Sequence, residues 1–102
     1  MYKLIFAPEF VRDLDSTFEY ISCTLTVPGA AKKLMREIDD AIMNLREMPY
    51  MYPVCEEPLD VMEYRKLVLK NYIIIYSVDE KKKNVNLPRS FYGRRDYLNF
   101  FS

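Results

Sequence analysis

Arginine and tyrosine are the residue types through which this chain could do chemistry, and they are concentrated in its C-terminal part. Arg65 and Arg89 fall in predicted strands, and Arg94, Arg95 and Tyr97 follow in a short tail. Guanidinium groups bind phosphate through two parallel hydrogen bonds, and aromatic rings stack on bases. The set is therefore chemically able to hold nucleic acid. The structural alternative is a salt-bridged strand with a tail packed under the sheet.

Several other kinds of site are excluded by composition. The chain has no histidine, which removes Ser-His and Cys-His catalysis and histidine-ligated metals. Its two cysteines, Cys23 and Cys55, are far apart and form no C-x-x-C pair, so two reduced thiols are predicted. Gly29 and Gly93 are the only glycines, too few for a Gly-rich phosphate loop. We expect no metal and no cofactor.

Arg89 occupies an unusual place, inside a predicted strand and among apolar residues. An unpaired charge there would be costly, so Arg89 should either line an open groove or pair with a carboxylate. Pro88 next to it removes a hydrogen-bond donor from the strand. The strand is therefore predicted to be an edge at that point or to carry a bulge, which would re-aim Arg89.

The stretch that positions these residues is the apolar run Tyr72–Tyr76, predicted to be a central strand buried on both faces. A strand at Tyr64–Leu69 precedes it, joined by the two-residue turn Lys70-Asn71, in which Asn tolerates positive φ. A third strand at Asn84–Phe91 follows the polar turn Asp79–Lys83, completing an antiparallel meander. By the period of two, one face of Tyr64–Leu69 carries Arg65, Leu67 and Leu69, and the other carries Tyr64, Lys66 and Val68.

The N-terminal part predicts a strand at Tyr2–Phe6 and then two helices, from Pro8 to about Leu25 and from about Ala30 to Met48. Thr26 is a candidate N-cap for the second helix. Matching apolar stripes and a short connection make the helices an antiparallel hairpin over one face of the sheet. The order β-α-α-β-β-β predicts an α+β fold, with residues 1–102 as one domain. The stripes predicted to face the core are Val11, Leu14, Phe18, Ile21 and Leu25, then Leu34, Ile38, Ala41, Leu45 and Met48.

Charge is zero overall but divided unevenly. Residues 1–62 carry 6 Lys/Arg against 11 Asp/Glu, a net charge of −5, and residues 63–102 carry 9 against 4, a net charge of +5. Such asymmetry favours an anionic partner for the basic half, although a polarised solvated surface explains it equally well. No apolar run is long enough to span a bilayer and no signal peptide is recognisable, so we expect a cytoplasmic protein with no membrane contact.

Several short stretches, spread over nearly the whole chain, are informative together. The stretches are Pro28-x-Ala-Ala, Ile38-x-x-Ala-Ile-x-x-Leu, Tyr52-Pro53, Tyr64-Arg-Lys-Leu-Val-Leu-Lys-Asn-Tyr, Tyr76-x-Val-Asp-Glu and Tyr92-Gly-Arg-Arg-Asp-Tyr. Their order and spacing resemble the RelE/ParE toxins of bacterial type II toxin–antitoxin modules, also known as plasmid stabilisation proteins. The family fold, a helix hairpin on an antiparallel sheet, agrees with the one predicted from periodicity.

This resemblance implies a growth-inhibiting toxin that a cognate antitoxin neutralises. ParE-like members inhibit DNA gyrase by binding, whereas RelE-like members are mRNA interferases, which cut mRNA on the ribosome with basic strand residues and a C-terminal Tyr or His. If this chain is such a nuclease, the resemblance assigns catalysis to Arg65, Arg89, Arg95 and Tyr97. For contact with the target or with RNA, we expect Lys66, Tyr92 and Arg94.

Two departures favour the gyrase-binding interpretation. Ile73 stands where RelE has a central-strand arginine, and Leu67 replaces a second lysine. Losing one electrostatic stabiliser of a transition state typically costs on the order of 10² to 10³ in rate. The ribosome-dependent endoribonuclease stays open as an alternative, as does an inactive relative that only binds its antitoxin. The oligomeric state is also open, a homodimer included.

Overall fold

The computed structural model of the chain describes residues 1–24, 29–55, 63–93 and 97. Within these residues the elements occur in the predicted order, β-α-α-β-β-β, so the α+β fold is confirmed. Their bounds agree with the predicted ones to within a few residues. The elements are β1 (Lys3–Phe6), α1 (Pro8–Thr24), α2 (Ala30–Asn44), β2 (Arg65–Leu69), β3 (Tyr72–Asp79) and β4 (Asn84–Tyr92).

The sheet has the strand order β1-β4-β3-β2. Strands β2, β3 and β4 form the predicted antiparallel meander, while β1 joins the edge of β4 in parallel, with Lys3 opposite Asn84 and Phe6 opposite Leu87. The parallel pairing arises because the chain enters α1 at Pro8, directly after β1, and cannot turn back as a hairpin. The strand β3 is the most deeply buried, as expected, from Tyr72 to Ser77.

Two apolar clusters lie on opposite faces of the sheet. The larger one packs under the helices and includes Tyr72, Ile74 and Tyr76 from β3. Side chains alternate along a strand, so Ile73 and Ile75 point the other way. They form a smaller cluster with Cys55, Phe91 and Tyr97. Whether a strand side chain points toward the helices or away from them therefore decides which of the two clusters it joins.

The inward face of α1 differs from the predicted stripe. Phe10, Thr17 and Ile21 are buried, whereas Val11 is 46% exposed and Phe18 is 39% exposed. Placing the last two in the core was wrong, because Phe10 enters the core at the first turn, where its ring lies 5.7 Å from that of Phe6. Phe10 and Thr17 therefore take the core positions predicted for Val11 and Phe18, whereas Leu14 and Ile21 of the predicted stripe do pack in the core.

The end of α2 also differs from the prediction. The helix stops at Asn44, and the Leu45, Arg46 and Glu47 amides bond to carbonyls three residues back, a tighter turn than the α-helix. Leu45 is still fully buried, but this change of geometry turns Met48 outward, where it is 59% exposed instead of in the core. The prediction of Thr26 as the N-cap of α2 was wrong, because the helix begins at Ala30 and its N-cap is Gly29, which has φ of 81° and makes no side-chain cap hydrogen bond. The predicted core residue Leu25 lies outside the described residues.

In both the β2–β3 turn and the β3–β4 turn, the residue with positive φ is a lysine. Lys70 has φ of 57° and Lys83 has φ of 55°, and neither Asn71 nor Asn84 does. The expectation that Asn71 would supply the positive φ was therefore wrong. In the β3–β4 turn the Asp79 carboxylate accepts a hydrogen bond from the Lys82 amide at 3.1 Å, which holds the turn as the polar sequence predicted.

The predicted irregularity at Pro88 is confirmed as a bulge. Ile75 of β3 pairs with Arg89 of β4, and the next pair is Ser77 with Asn86. Between these two pairs β3 advances by two residues and β4 by three, so β4 carries one extra residue. Proline is tolerated there because a bulge has no regular hydrogen bond for its nitrogen to lose. Beyond Leu87, β4 is no longer paired with β1.

Candidate functional site

The guanidinium of Arg65 is bound by the backbone of the loop that precedes β2. It donates to the Tyr52 carbonyl at 2.6 Å, lies 5.0 Å above the Tyr50 ring and pairs with Glu63 at 3.3 Å. The Arg65 side chain is 17% exposed. Because Arg65 shares the face of β2 with Leu67, which is in the cluster beneath the helices, it lies on the helix side of the sheet.

Arg89 pairs with a carboxylate, one of the two outcomes expected for it. Its guanidinium donates to both carboxylate oxygens of Asp13 on α1, at 2.7 and 3.1 Å. The Ser90 amide donates to the same carboxylate at 3.0 Å. Asp13 thus provides a hydrogen-bond acceptor for the Ser90 amide of β4, which lies beyond the residues that pair with β1. The Arg89 guanidinium also lies 5.1 Å from the centre of the Phe91 ring.

Tyr97 is buried, at 2% exposure, on the sheet face away from the helices. Its ring packs edge-on against Phe91 with centroids 6.3 Å apart, and the Lys66 ammonium lies 5.1 Å from its centre. A positive charge over an aromatic face is attracted by the ring quadrupole. Tyr97 and Lys66 are therefore brought together, as a buried ring beneath a partly exposed cation.

The predicted residues do not all converge on one point. Tyr92 lies against the helix-side cluster and its ring is 5.7 Å from that of Tyr20, so it is on the face opposite Tyr97. Arg65 is on that same helix side, whereas the side chain of Arg89 starts on Tyr97's face and reaches α1. Arg94 and Arg95 lie outside the described residues.

A cluster that sequence reasoning did not identify surrounds Glu80, at the β3–β4 turn. Its carboxylate accepts hydrogen bonds from Tyr2 at 2.7 Å and from Tyr50 at 2.5 Å, and pairs with Lys83. The hydrogen bond from Lys83, followed by those from the two tyrosines, lowers the pKa of Glu80 to about 2. The same carboxylate raises the pKa of Tyr50 to about 12. Residues that are distant in sequence meet here, which no local pattern signals.

Two cavities open at the β2–β3 turn, one on each face of the sheet. One, of about 400 Å³, lies on the helix side between the α2 N-terminus and the sheet, and Leu34, Leu69 and Tyr92 are among its lining residues. The other, of about 240 Å³, lies on the opposite face and is lined by Lys66, Val68, Lys70, Asn71, Ile73 and Tyr97. Within residues 1–24, 29–55, 63–93 and 97, no cluster of metal-ligating side chains and no helix able to cross a membrane is found.

Comparison with known proteins gives one family and one fold. The family model of the ParE toxin of the type II toxin-antitoxin system, parDE, matches residues 4–97. A sequence search of curated proteins finds no match.

The fold is shared with solved toxins of this kind. In the chromosomal ParDE system from P. aeruginosa, the similar chain has a TM-score of 0.67 at 21% identity, over 91% of this chain and 97% of that one. The isolated E. coli RelE toxin gives a TM-score of 0.63 at 12% identity over the whole of both chains. The intact E. coli RelBE complex gives 0.58 at 16% identity, over 88% of this chain and 94% of that one. Because these sequence identities are low, the similarity to the three solved structures shows a shared fold.

Proposed function

Because this chain belongs to the ParE toxin family of type II toxin–antitoxin systems, we propose that it inhibits growth by binding DNA gyrase. A cognate antitoxin neutralises it. The proposal concerns the target, since the ParE and RelE folds are alike and a shared fold does not define an activity.

The proposal is supported chiefly by the hydrogen bonds of the two strand arginines, each of which donates to a partner within the fold. Arg65 is held by the Tyr52 carbonyl on the helix side of the sheet, the face opposite Tyr97, and Arg89 is held by the Asp13 carboxylate of α1. To grip a scissile phosphate beside Tyr97, both would have to leave partly buried partners, and uncompensated polar groups would remain behind. A ribonuclease needs its cations in place before the reaction.

The substituted central-strand position supports the same conclusion. Ile73 is 8% exposed and belongs to the apolar cluster that contains Tyr97. Leu67, at the other substituted position, is fully buried beneath the helices. Both positions are thus apolar packing sites, and neither offers a cation to a transition state. An inhibitor that acts by binding requires no such cation.

The experiment that tests the proposal is a gyrase supercoiling assay with the purified chain. We expect inhibition without cleavage of mRNA in a translating extract. Lys66→Glu should weaken inhibition, because it reverses the charge of an expected contact residue. Lys81→Glu makes the same change in charge in the exposed β3–β4 turn and should leave inhibition intact. Normal supercoiling at every concentration of the chain would refute the proposal.

A second candidate function, the ribosome-dependent endoribonuclease, is favoured by one observation. The Lys66 ammonium lies over the Tyr97 ring on a single face of the sheet, so a cation and a tyrosine do meet there. Discrete cuts in mRNA, abolished by Tyr97→Phe, would establish this alternative. Growth that continues when the chain is induced alone would instead indicate a relative that only binds its antitoxin.

A further inference from the structure

Strand β1 stands at one end of the strand order β1-β4-β3-β2, so one of its edges pairs with β4 and the other faces outward. The Lys3 and Ala7 amides donate to carbonyls on the β4 side at 2.9 and 3.1 Å. In a parallel ladder alternate residues bond to the neighbouring strand, so the backbone of Lys3, Ile5 and Ala7 points toward β4. The amides and carbonyls of Leu4 and Phe6 therefore point outward.

These outward groups of Leu4 and Phe6 are unpaired in the part of the chain that the structure describes. No hydrogen bond to their amides or carbonyls is found there. Phe6 is 45% exposed and Ile5 is 37% exposed, so side chains along this edge are also open to solvent. Unpaired backbone groups on an edge strand are a template for another strand.

The ends of β1 restrict how a second copy of the strand could pair with it. The Tyr2 amide, also outward, is already bonded to the Arg46 carbonyl at 2.7 Å, and Pro8 has no amide hydrogen. Antiparallel strands exchange hydrogen bonds between outward residues that lie opposite each other. Placing Leu4 opposite its own copy sets Phe6 against the occupied Tyr2, and placing Phe6 opposite its own copy sets Leu4 against Pro8. With Leu4 opposite Phe6, both residues form all their bonds.

The side chains of β1 also match in this register. Leu4 packs against the cluster beneath the helices and the Phe6 ring lies 5.7 Å from that of Phe10, so both are on the helix side and form an apolar pair across the interface. Ile5 points to the other face by alternation. It meets Ile5 of the second copy at the twofold axis, in a pair whose Cα atoms lie about 4.5 Å apart. The exposed apolar side chains of β1 are thus covered by their own counterparts.

Charges at the two ends of β1 are complementary. A cavity of about 330 Å³ at the start of the strand is lined by Lys3 and Arg46, among others, and within the described ranges neither side chain forms an ion pair. At the far end Glu9, in the first turn of α1, pairs loosely with Arg12 at 3.6 Å, and both side chains are more than half exposed. Antiparallel pairing brings the start of one β1 beside the end of the other. Glu9 of each copy therefore approaches Lys3 and Arg46 of the other, which favours this orientation.

Strand β1 also has little protection against pairing. Charged residues, prolines and bulges inside an edge strand discourage the addition of another strand. In β1 the single charged residue is Lys3, at its start, and in the register described it lies opposite Ala7 of the second copy. The three residues that follow are apolar and pair regularly with β4.

We infer that two copies of this chain associate through β1, antiparallel about a twofold axis at Ile5, which joins their four-stranded sheets into one of eight strands. The axis is perpendicular to the sheet, as in any antiparallel strand pair, so the helices of both copies lie on one side. Lys66 and Tyr97 of both copies lie on the other side, where a partner meets two equivalent faces. The inference goes beyond the proposed target and does not depend on it.

Sedimentation velocity of the purified full chain measures the association. A four-residue strand makes a small interface, so we expect a dimer that dissociates at about 1–100 μM. Ile5→Lys sets two like charges against each other at the axis and should raise the dissociation constant at least about tenfold. Val68→Lys adds the same charge at a residue that is 53% exposed on the opposite edge strand, and should leave it unchanged. A parent chain that stays monomeric throughout this range overturns the inference.

Cysteine cross-linking tests the register without relying on a destabilising change. In a Cys23→Ser background, which removes the exposed native thiol and keeps the buried Cys55, Ile5→Cys should form a reducible dimer under mild oxidation. Lys3→Cys, on the same face of β1, lies at least about 13 Å from its counterpart in this register and should not. Equal cross-linking of the two variants, or none for Ile5→Cys, contradicts the proposed pairing.

Amide hydrogen exchange distinguishes a second copy from the antitoxin as the occupant of this edge. As the concentration of the chain alone rises, the Leu4 and Phe6 amides should exchange more slowly relative to those of Lys3 and Ile5, which are bonded to β4. Protection that appears only when antitoxin is added would assign the edge to the antitoxin and overturn the inference. Failure to inhibit gyrase would refute the proposed target and leave these results unaffected.

Discussion

Asp13 and Arg89 connect α1 to the edge of β4 beyond the point where β1 ends. The carboxylate accepts two hydrogen bonds from the guanidinium and one from the Ser90 amide, and the two side chains are 18% and 38% exposed. Both the charge in the strand and the unpaired edge amide are thereby satisfied. One acidic residue thus fulfils two requirements of β4, a partner for the Arg89 charge and an acceptor for the Ser90 amide.

We predict that Asp13→Ala lowers the free energy of unfolding by about 1.5–3 kcal/mol, the range for hydrogen bonds to charged groups. The Arg89 guanidinium and the Ser90 amide would both lose an acceptor. Chemical denaturation followed by circular dichroism measures the change. Asp15→Ala, an exposed carboxylate on the same helix, is the matched control and should change stability by less than about 0.5 kcal/mol.

Acid should weaken the Glu80 cluster. The pKa of Glu80 falls from an ordinary 4.5 to about 2, chiefly through Lys83 and then through Tyr50 and Tyr2. A carboxylate with a lowered pKa stabilises the fold above its unfolded-state value, and this contribution is lost as the pH falls toward 2. Between about pH 5 and pH 2, the melting temperature of the parent should fall more steeply than that of Glu80→Gln. Parallel curves would disprove a role for this charge, and Asp39→Asn, at an exposed site on α2, is the control.

Tyr76 anchors the loop after α2 from inside the core. Its hydroxyl donates to the Pro49 carbonyl at 2.7 Å, and burial raises its pKa to about 12. Tyr76→Phe keeps the ring but leaves that carbonyl without its donor, which should cost about 1–3 kcal/mol in urea unfolding. Tyr20→Phe, at a ring that is 56% exposed, should be close to neutral. Equal stability of the two variants would mean that water replaces the lost donor.

Tyr97 distinguishes the two candidate targets through its hydroxyl. Tyr97→Phe retains the edge-on packing on Phe91 and the ring beneath Lys66, so a chain that acts by binding gyrase should still arrest growth when induced. Loss of arrest by two orders of magnitude or more in inducer response would point to hydroxyl chemistry and the nuclease. Immunoblotting of the induced chain ensures that the two forms are compared at equal abundance.

Much of the fold could be predicted from the chain alone, because its signals are local. The run Tyr72–Tyr76 is apolar on both faces and became the buried centre of the sheet. Pro88 lacks an amide hydrogen and predicted an irregularity, which is the bulge opposite β3. Arg89 predicted a carboxylate partner or an open groove, since charge among apolar residues requires compensation.

What the tertiary structure decided is which of several possible partners each residue takes. Asp13 is 76 positions from Arg89 in sequence, and no periodicity distinguishes it from the other carboxylates of α1. Likewise, the stripe through Val11 and Phe18 was a reasonable pattern, but Phe10 and Thr17 are buried in their place. Alternation along β2 places Arg65 on one face, yet only the folded loop presents the Tyr52 carbonyl to it. Periodicity is a property of neighbours along the chain, whereas these pairings depend on how the helices and strands pack against each other in three dimensions.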